Sequence, residues 1–235
     1  GLYGGPEGSH SMTGQVTGPP VQERQEPPIP ERKVREKSVI RQYTEAFLIA
    51  ILLALVIRTF VVQAFKIPSG SMLPTLQIGD HLLVNKFLYG AEIPFLDWRM
   101  PGLRNPQRGD IIVFKFPQDE GRDFIKRVIA LPGDKVEVRG KRVYVNDKPV
   151  QESYAVHLDP SIQENPHSPR DNFAPVQAPP GQLFMMGDNR DYSMDSRFWG
   201  FLDAKKIRGK AFIIYWSWDR ERFRPRWERI GKVIR

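Results

Sequence analysis

The sequence predicts a mostly β protein, built on antiparallel sheet and preceded by one transmembrane helix. Three observations predict it. Ala46 to Ile57 is an unbroken run of twelve apolar residues. After Phe65 the apolar runs become short and are separated by Gly, Pro and Asp, the punctuation of strands and tight turns. Alanine-rich helical periodicity is missing from that remainder. A chain of 235 residues suits one domain of moderate size with appendages. The absence of cysteine excludes a disulfide scaffold, a thiolate zinc site and a cysteine nucleophile. His10, His81, His157 and His167 are not spaced as a ligand pair, which argues against a histidine-built metal site. The net charge of +8 fits nucleic acid or an anionic membrane surface equally well, because 35 basic residues are scattered among 27 acidic ones.

Taken in order, residues 1–11 precede a Met, lack apolar periodicity and read as an expression-tag remnant. Residues 12–37 are polar and proline-rich and predict a disordered cytoplasmic tail. Residues 38–65 predict the anchor. As one helix, Phe47 to Phe65 would span about 28 Å at 1.5 Å per residue, close to one hydrocarbon thickness. Arg58 lies near its far end, where its side chain would snorkel to the headgroups. A buried core helix or a cleaved signal peptide would share this composition. Against cleavage, more than thirty residues precede the segment and no small-x-small site stands clear of the chain beyond it. Arg24, Arg32, Lys33, Arg35, Lys37 and Arg41 come before it, so the positive-inside rule puts the N-terminus in the cytoplasm and residues 66–235 outside.

Within 66–235, Asp110–Phe116, Phe124–Ala130 and Leu183–Met186 read as strands. Lys135–Arg139 and Arg142–Val145, joined by Gly140-Lys141, read as a tight hairpin. Residues 151–180 hold six prolines and predict a long surface excursion. Ala211–Trp218 predicts a final strand, followed by a basic, aromatic tail from Arg220 to Trp227.

Chemistry concentrates in three segments. In Ile67-Pro68-Ser69-Gly70-Ser71-Met72-Leu73-Pro74-Thr75, two hydroxyls flank a glycine among apolar residues, directly beyond the anchor. Pro-Ser-Gly-Ser is also ordinary linker composition, so position lifts this segment. In Phe124-Ile125-Lys126-Arg127-Val128-Ile129, strand alternation puts Phe124, Lys126 and Val128 on one face. A solvated lysine is the commoner outcome there; a desolvated one is driven neutral and accepts a proton from a serine. Gly187 to Arg197 (GDNRDYSMDSR) packs Asp, Asn, Arg and Ser directly after an apolar strand, as a plain polar loop or as a scaffold fixing a site. Arg108-Gly109-Asp110 reads as a turn opening a strand. No histidine falls in these segments, so the inventory allows a Ser/Lys pair and not a Ser/His/Asp set.

These segments, together with Leu131-Pro132-Gly133-Asp134, resemble in order the signature segments of bacterial type I signal peptidases, over about residues 45–218. A lone SMxPT would be weaker, since self-cleaving LexA-like proteins share it. The resemblance implies a serine endopeptidase of the bacterial cytoplasmic (inner) membrane, single-pass, that removes signal peptides from exported preproteins after small-x-small sites. It implies an antiparallel β-sheet catalytic domain with a smaller variable second lobe. Ser71 matches the nucleophile, Lys126 the general base, and the Ser71 N–H with the Ser69 hydroxyl the oxyanion hole. Ser193 matches the residue that hydrogen-bonds the lysine, Asp195 and Arg197 a supporting salt bridge, and Arg127 a neighbour of the base. The substrate pockets correspond to Phe65, Ile67, Met72, Leu76, Leu82, Phe124 and Ile125. Tyr192 stands where many members have Asn. The implied partners are preproteins and the lipid bilayer, with no nucleic acid, metal or cofactor. Two other classes remain open: a self-processing LexA-like protein, and a non-catalytic, membrane-anchored binding domain.

Overall fold

The computed structural model describes residues 39–90, 98–163 and 168–235. The expected tag remnant, the 12–37 tail and the basic residues Arg24 to Lys37 lie outside the described residues. The compact unit is Thr44–Arg235; before it, only Val39–Tyr43, the opening of the first helix, are described.

Helix α1 (Val39–Val56) buries none of its residues. It is the one helix among the described residues long and apolar enough to cross a membrane. The chain then widens into a π-helical turn at Ile57–Val61 and becomes strand β1 (Val62–Lys66). A single helix through Phe65 is therefore not what forms. From Val62 the residues pair with β2 (Asp80–Asn85), running from Val62 opposite Asn85 to Lys66 opposite His81. The apolar run hides this change, because a buried strand and a helix present the same hydrophobicity over a short stretch.

The other strands are β3 (Ile111–Phe116), β4 (Asp119–Ala130), β5 (Lys135–Arg139), β6 (Arg142–Val145), β7 (Lys148–Pro149), β8 (Phe173–Gln177) and β9 (Gln182–Met186). After a short helix α2 (Ser196–Trp199) come β10 (Leu202–Asp203), β11 (Ile207–Asp219) and β12 (Arg224–Pro225). The larger sheet has the order β1-β2-β11-β3-β4-β9-β10, with β12 on β11; the smaller has the order β7-β6-β5-β8. Every ladder is antiparallel. The fold is thus a mostly antiparallel β protein with one apolar N-terminal helix and a smaller second sheet, as the sequence predicts.

The β5–β6 turn has positive φ at both Gly140 and Lys141, the geometry that suits a two-residue hairpin. Strand β4 starts earlier than Phe124 because exposed, polar Asp119–Asp123 pair back on β3. The described parts of the 151–180 excursion hold more structure than its prolines suggest. Strand β8 pairs with β5, and Arg170 and Asp171 are buried as an ion pair. Buried charges that satisfy each other leave no apolar pattern to read.

Candidate active site

Ser71 lies on the loop that joins β1 to β2. The β1–β2 ladder is extended by Ile67 N–H donating to Asp80 O (2.9 Å) and Gly79 N–H donating to Ile67 O (3.1 Å), so residues 68–78 form a closed loop. Leu76 N–H donates to Met72 O (2.9 Å), a single helical turn that drives both side chains into the core. Burying two such side chains contributes roughly 1.5–3 kcal/mol each and pins the loop from below. Ser71 is left at the surface of that plug, 9% exposed.

Lys126 comes from the middle of β4, opposite Ile112 of β3. Its Nζ donates to Ser71 Oγ at 2.7 Å, and the residue is only 4% exposed. Burial pushes its pKa down from 10.5 to about 8; the carboxylates of Asp195 and Asp188 oppose that shift and Arg197 adds to it. The Phe124 ring lies 5.4 Å from Nζ and excludes water on one side. A buried lysine of lowered basicity thus meets a serine hydroxyl at hydrogen-bond distance. This arrangement can move a proton off the hydroxyl.

Behind Lys126, Arg127 makes a bidentate pair with the fully buried Asp188: Nε to Oδ1 2.8 Å and Nη2 to Oδ2 2.7 Å. Asp188 Oδ2 also accepts from Thr75 Oγ1 at 2.5 Å, tying the nucleophile loop to the 187–197 loop. The Asp195–Arg197 salt bridge forms, with Nε to Oδ1 and Nη2 to Oδ2 both at 2.8 Å. Asp195 Oδ2 accepts the Gly187 N–H as well. Gly187 has no room for a side chain: a Cβ would collide with the Ser71 carbonyl oxygen and the Ser193 hydroxyl. Asn189 holds the other side of the loop, its N–H donating to Ser71 O (3.1 Å) and Nδ2 to Gly70 O (3.2 Å). Sequence reasoning singles out the 187–197 segment but not Gly187, Asp188, Asn189 or Thr75. The density of small and Asx residues is the only signal.

Two placements differ from what the resemblance implies. Ser193 Oγ is buried but has no hydrogen-bond partner among the described residues, so its contact with Lys126 is not made. Nζ is turned to Ser71 instead. Of the seven expected pocket residues, Phe124 and Ile125 line a cleft of about 710 Å³ that also takes in Ser69, Ser71, Lys126 and Met194. Ile67, Met72, Leu76 and Leu82 lie beneath it in the core, each at most 2% exposed, and Phe65 packs against them. A motif marks which residues travel together but does not separate lining from support. Among the described residues no group of three or more His, Asp or Glu is arranged to hold a metal. Ser69 is exposed on the cleft, and no acceptor is found for the Ser71 N–H among the described residues.

A serine hydroxyl beside a buried lysine on an open cleft is an arrangement suited to hydrolysis, and the comparisons with known proteins give the class. The signal peptidase, peptidase S26, family matches residues 40–216. Signal peptidase I of Pseudomonas aeruginosa is 36% identical over 255 residues, covering 95% of this chain and 87% of that protein. Probable signal peptidase I-1 of Synechocystis is 41% identical over 201 residues, covering 82% and 87%. A solved signal peptidase I from Enterococcus faecalis is 32% identical, covering 46% of this chain and 98% of that one at a TM-score of 0.38. The chain belongs to the signal peptidase family, a family of serine peptidases.

Proposed function

We propose that this protein cleaves signal peptides from exported preproteins with Ser71 as nucleophile and Lys126 as general base. The single observation that carries the reading is the 2.7 Å contact between Nζ and Oγ on a lysine that burial has made a weaker base. With Lys126 neutral, the hydroxyl becomes the donor in that contact. Oγ attacks the scissile carbonyl carbon, and its proton passes to Nζ. The oxyanion is met by the Ser71 N–H and the Ser69 hydroxyl, from two residues that line the same cleft. Collapse of the tetrahedral species breaks the C–N bond, and Nζ returns the proton to the departing amine. A water molecule, deprotonated by the same Nζ, then hydrolyses the ester and restores Ser71.

An extended substrate points alternate side chains the same way, so residues −1 and −3 would enter neighbouring pockets beside Phe124 and Ile125. The buried layer of Met72 and Leu76 beneath supports small side chains such as alanine there. The apolar, unburied α1 supports a single-span anchor, with the chain beyond Phe65 on the outer face and the N-terminus in the cytoplasm. Family membership supports this reading over a self-processing or non-catalytic protein, and cleavage in trans would separate the three. The test is the purified chain in detergent with a preprotein. The parent should cleave it, and Ser71→Ala and Lys126→Ala should each lower kcat by about 10⁴-fold or more while staying folded. Activity within tenfold of the parent would remove that residue from the pair.

A further inference from the structure

Residues 152, 154 and 156, in the segment the sequence reads as an excursion, each reach the 187–190 loop or its partner. The Glu152 carboxylate accepts both terminal nitrogens of Arg190 at 2.6 Å, and Arg190 Nε donates to Gly187 O at 3.0 Å. Arg190 is 1% exposed. Val156 N–H donates to Asp188 O (2.8 Å) and Val156 O accepts from Arg190 N–H (3.0 Å), forming a parallel bridge to Asn189. The Tyr154 ring lies 3.8 Å from the Arg127 guanidinium, which is itself clamped on Asp188. A turn closed by Ala155 N–H donating to Glu152 O (3.2 Å) thus sets Val156 against the residues on both sides of Asn189, with Glu152 holding Arg190 and Tyr154 lying on Arg127.

Asn189 in turn holds the Gly70 carbonyl through Nδ2. In a planar trans peptide the C=O and the following N–H point in opposite directions. Fixing the Gly70 carbonyl oxygen on Asn189 therefore fixes where the Ser71 N–H points, away from Asn189. We infer that Glu152, Tyr154 and Val156 are positioning residues that act through Asn189 to aim the Ser71 N–H at the substrate oxyanion. This rests on the proposed role of that N–H. It gives the excursion a part in the reaction although none of the three residues lines the cleft.

The test is Glu152→Gln, which keeps the shape and removes the charge. The number of competent enzymes is counted by acylation of Ser71 with a serine-directed probe, and kcat is expressed per titrated site. We expect kcat to fall by about tenfold, less than loss of a whole oxyanion donor. KM should stay within twofold, the pH midpoint of kcat/KM should be unmoved, and Glu152→Asp should restore part of the loss. Hydrogen exchange of the Ser71 and Met72 amides should quicken by about tenfold, with the β5–β6 hairpin unchanged. A kcat per titrated site within twofold of the parent, or unchanged exchange, would overturn the inference; a merely structural role would lower only the titrated fraction. A parent that fails to cleave preprotein would refute the proposed function, and exchange alone would then decide whether the clamp exists. Should Glu152→Gln not fold, Asn189→Asp, which puts an acceptor where the amide donor was, must show the same signature more strongly.

Discussion

The two loops that meet at the site are held by opposite physics. The 68–78 loop is pinned from below by Met72 and Leu76, apolar side chains with no preferred direction beyond fit. The 187–197 loop is pinned by charge: Arg127–Asp188, Arg190–Glu152 and Arg197–Asp195, all nearly or fully buried. Apolar burial sets depth and tolerates volume-conserving change. Buried ion pairs set direction, and losing one partner leaves the other uncompensated. The serine sits on the tolerant loop and its orienting contacts on the intolerant one.

Lys126 belongs to neither scheme and should show the largest effect on activity. Below about pH 8 the folded chain must keep a buried ammonium, and between about 8 and 10.5 the unfolded chain binds more protons than the folded one. Stability therefore rises with pH across that window and is lowest below it. The separation corresponds to about 3 kcal/mol. Lys126→Met should abolish cleavage, raise stability at neutral pH by up to that amount and flatten the alkaline rise in urea unfolding. The parent's kcat/KM should climb with pH through a midpoint near pH 8 and level off above it. Parallel unfolding curves for parent and variant would mean that Lys126 is an ordinary charged lysine.

The loops themselves are compared by Asp188→Asn and Met72→Leu, read by thermal or urea unfolding. Asp188→Asn leaves Arg127 without a counter-charge and should destabilise by about 3–5 kcal/mol. Met72→Leu conserves volume and should stay below about 1.5 kcal/mol. Equal effects would erase the distinction between a tolerant and an intolerant loop.

The smallest effect lies outside the cleft. Trp216 stacks near Trp218, with ring centroids 6.5 Å apart, and meets Trp227 edge-on at 6.3 Å. Trp227 and Phe223 are 70% and 81% exposed. In a catalytic domain that begins at Val62 and so keeps β1, the pair Phe223→Ala and Trp227→Ala should weaken liposome binding by about tenfold, as loss of buried aromatic area requires. Cleavage of a soluble peptide should stay within twofold. Unchanged liposome binding would detach this cluster from the bilayer.

Features are legible in the sequence where their signals are local. The β5–β6 hairpin is readable because alternation and a Gly-Lys turn sit within eleven residues. Ser71 and Lys126 are readable through motif resemblance, since their 55-residue separation leaves no local pattern to connect them. The Glu152–Arg190 clamp is not readable, because a charge that is neutralised across the fold looks like a solvated one in the chain; the adjacent Arg170–Asp171 pair reads the same buried or solvated, and β8 is hidden by Pro175 within it. Strand β1 escapes notice because its pairing with β2 overrides a hydrophobic run that suits either structure. The core positions of Ile67, Met72, Leu76 and Leu82 depend on how the loop folds beneath the cleft, which spacing does not reveal.

The ladder that begins at Val62, directly after the π-helical turn, has a consequence for reach. A flexible linker between an anchor and a site would let the serine sample many heights above a bilayer. A hydrogen-bonded strand does not: five paired residues advance about 17 Å as one stiff strut. With α1 embedded as proposed, Ser71 works at one altitude, and a substrate anchored in the same bilayer is measured against it. On the proposed function, chain length between a preprotein's apolar segment and its scissile bond would then be a selected quantity alongside the residues at −1 and −3. The strand acts as a gauge.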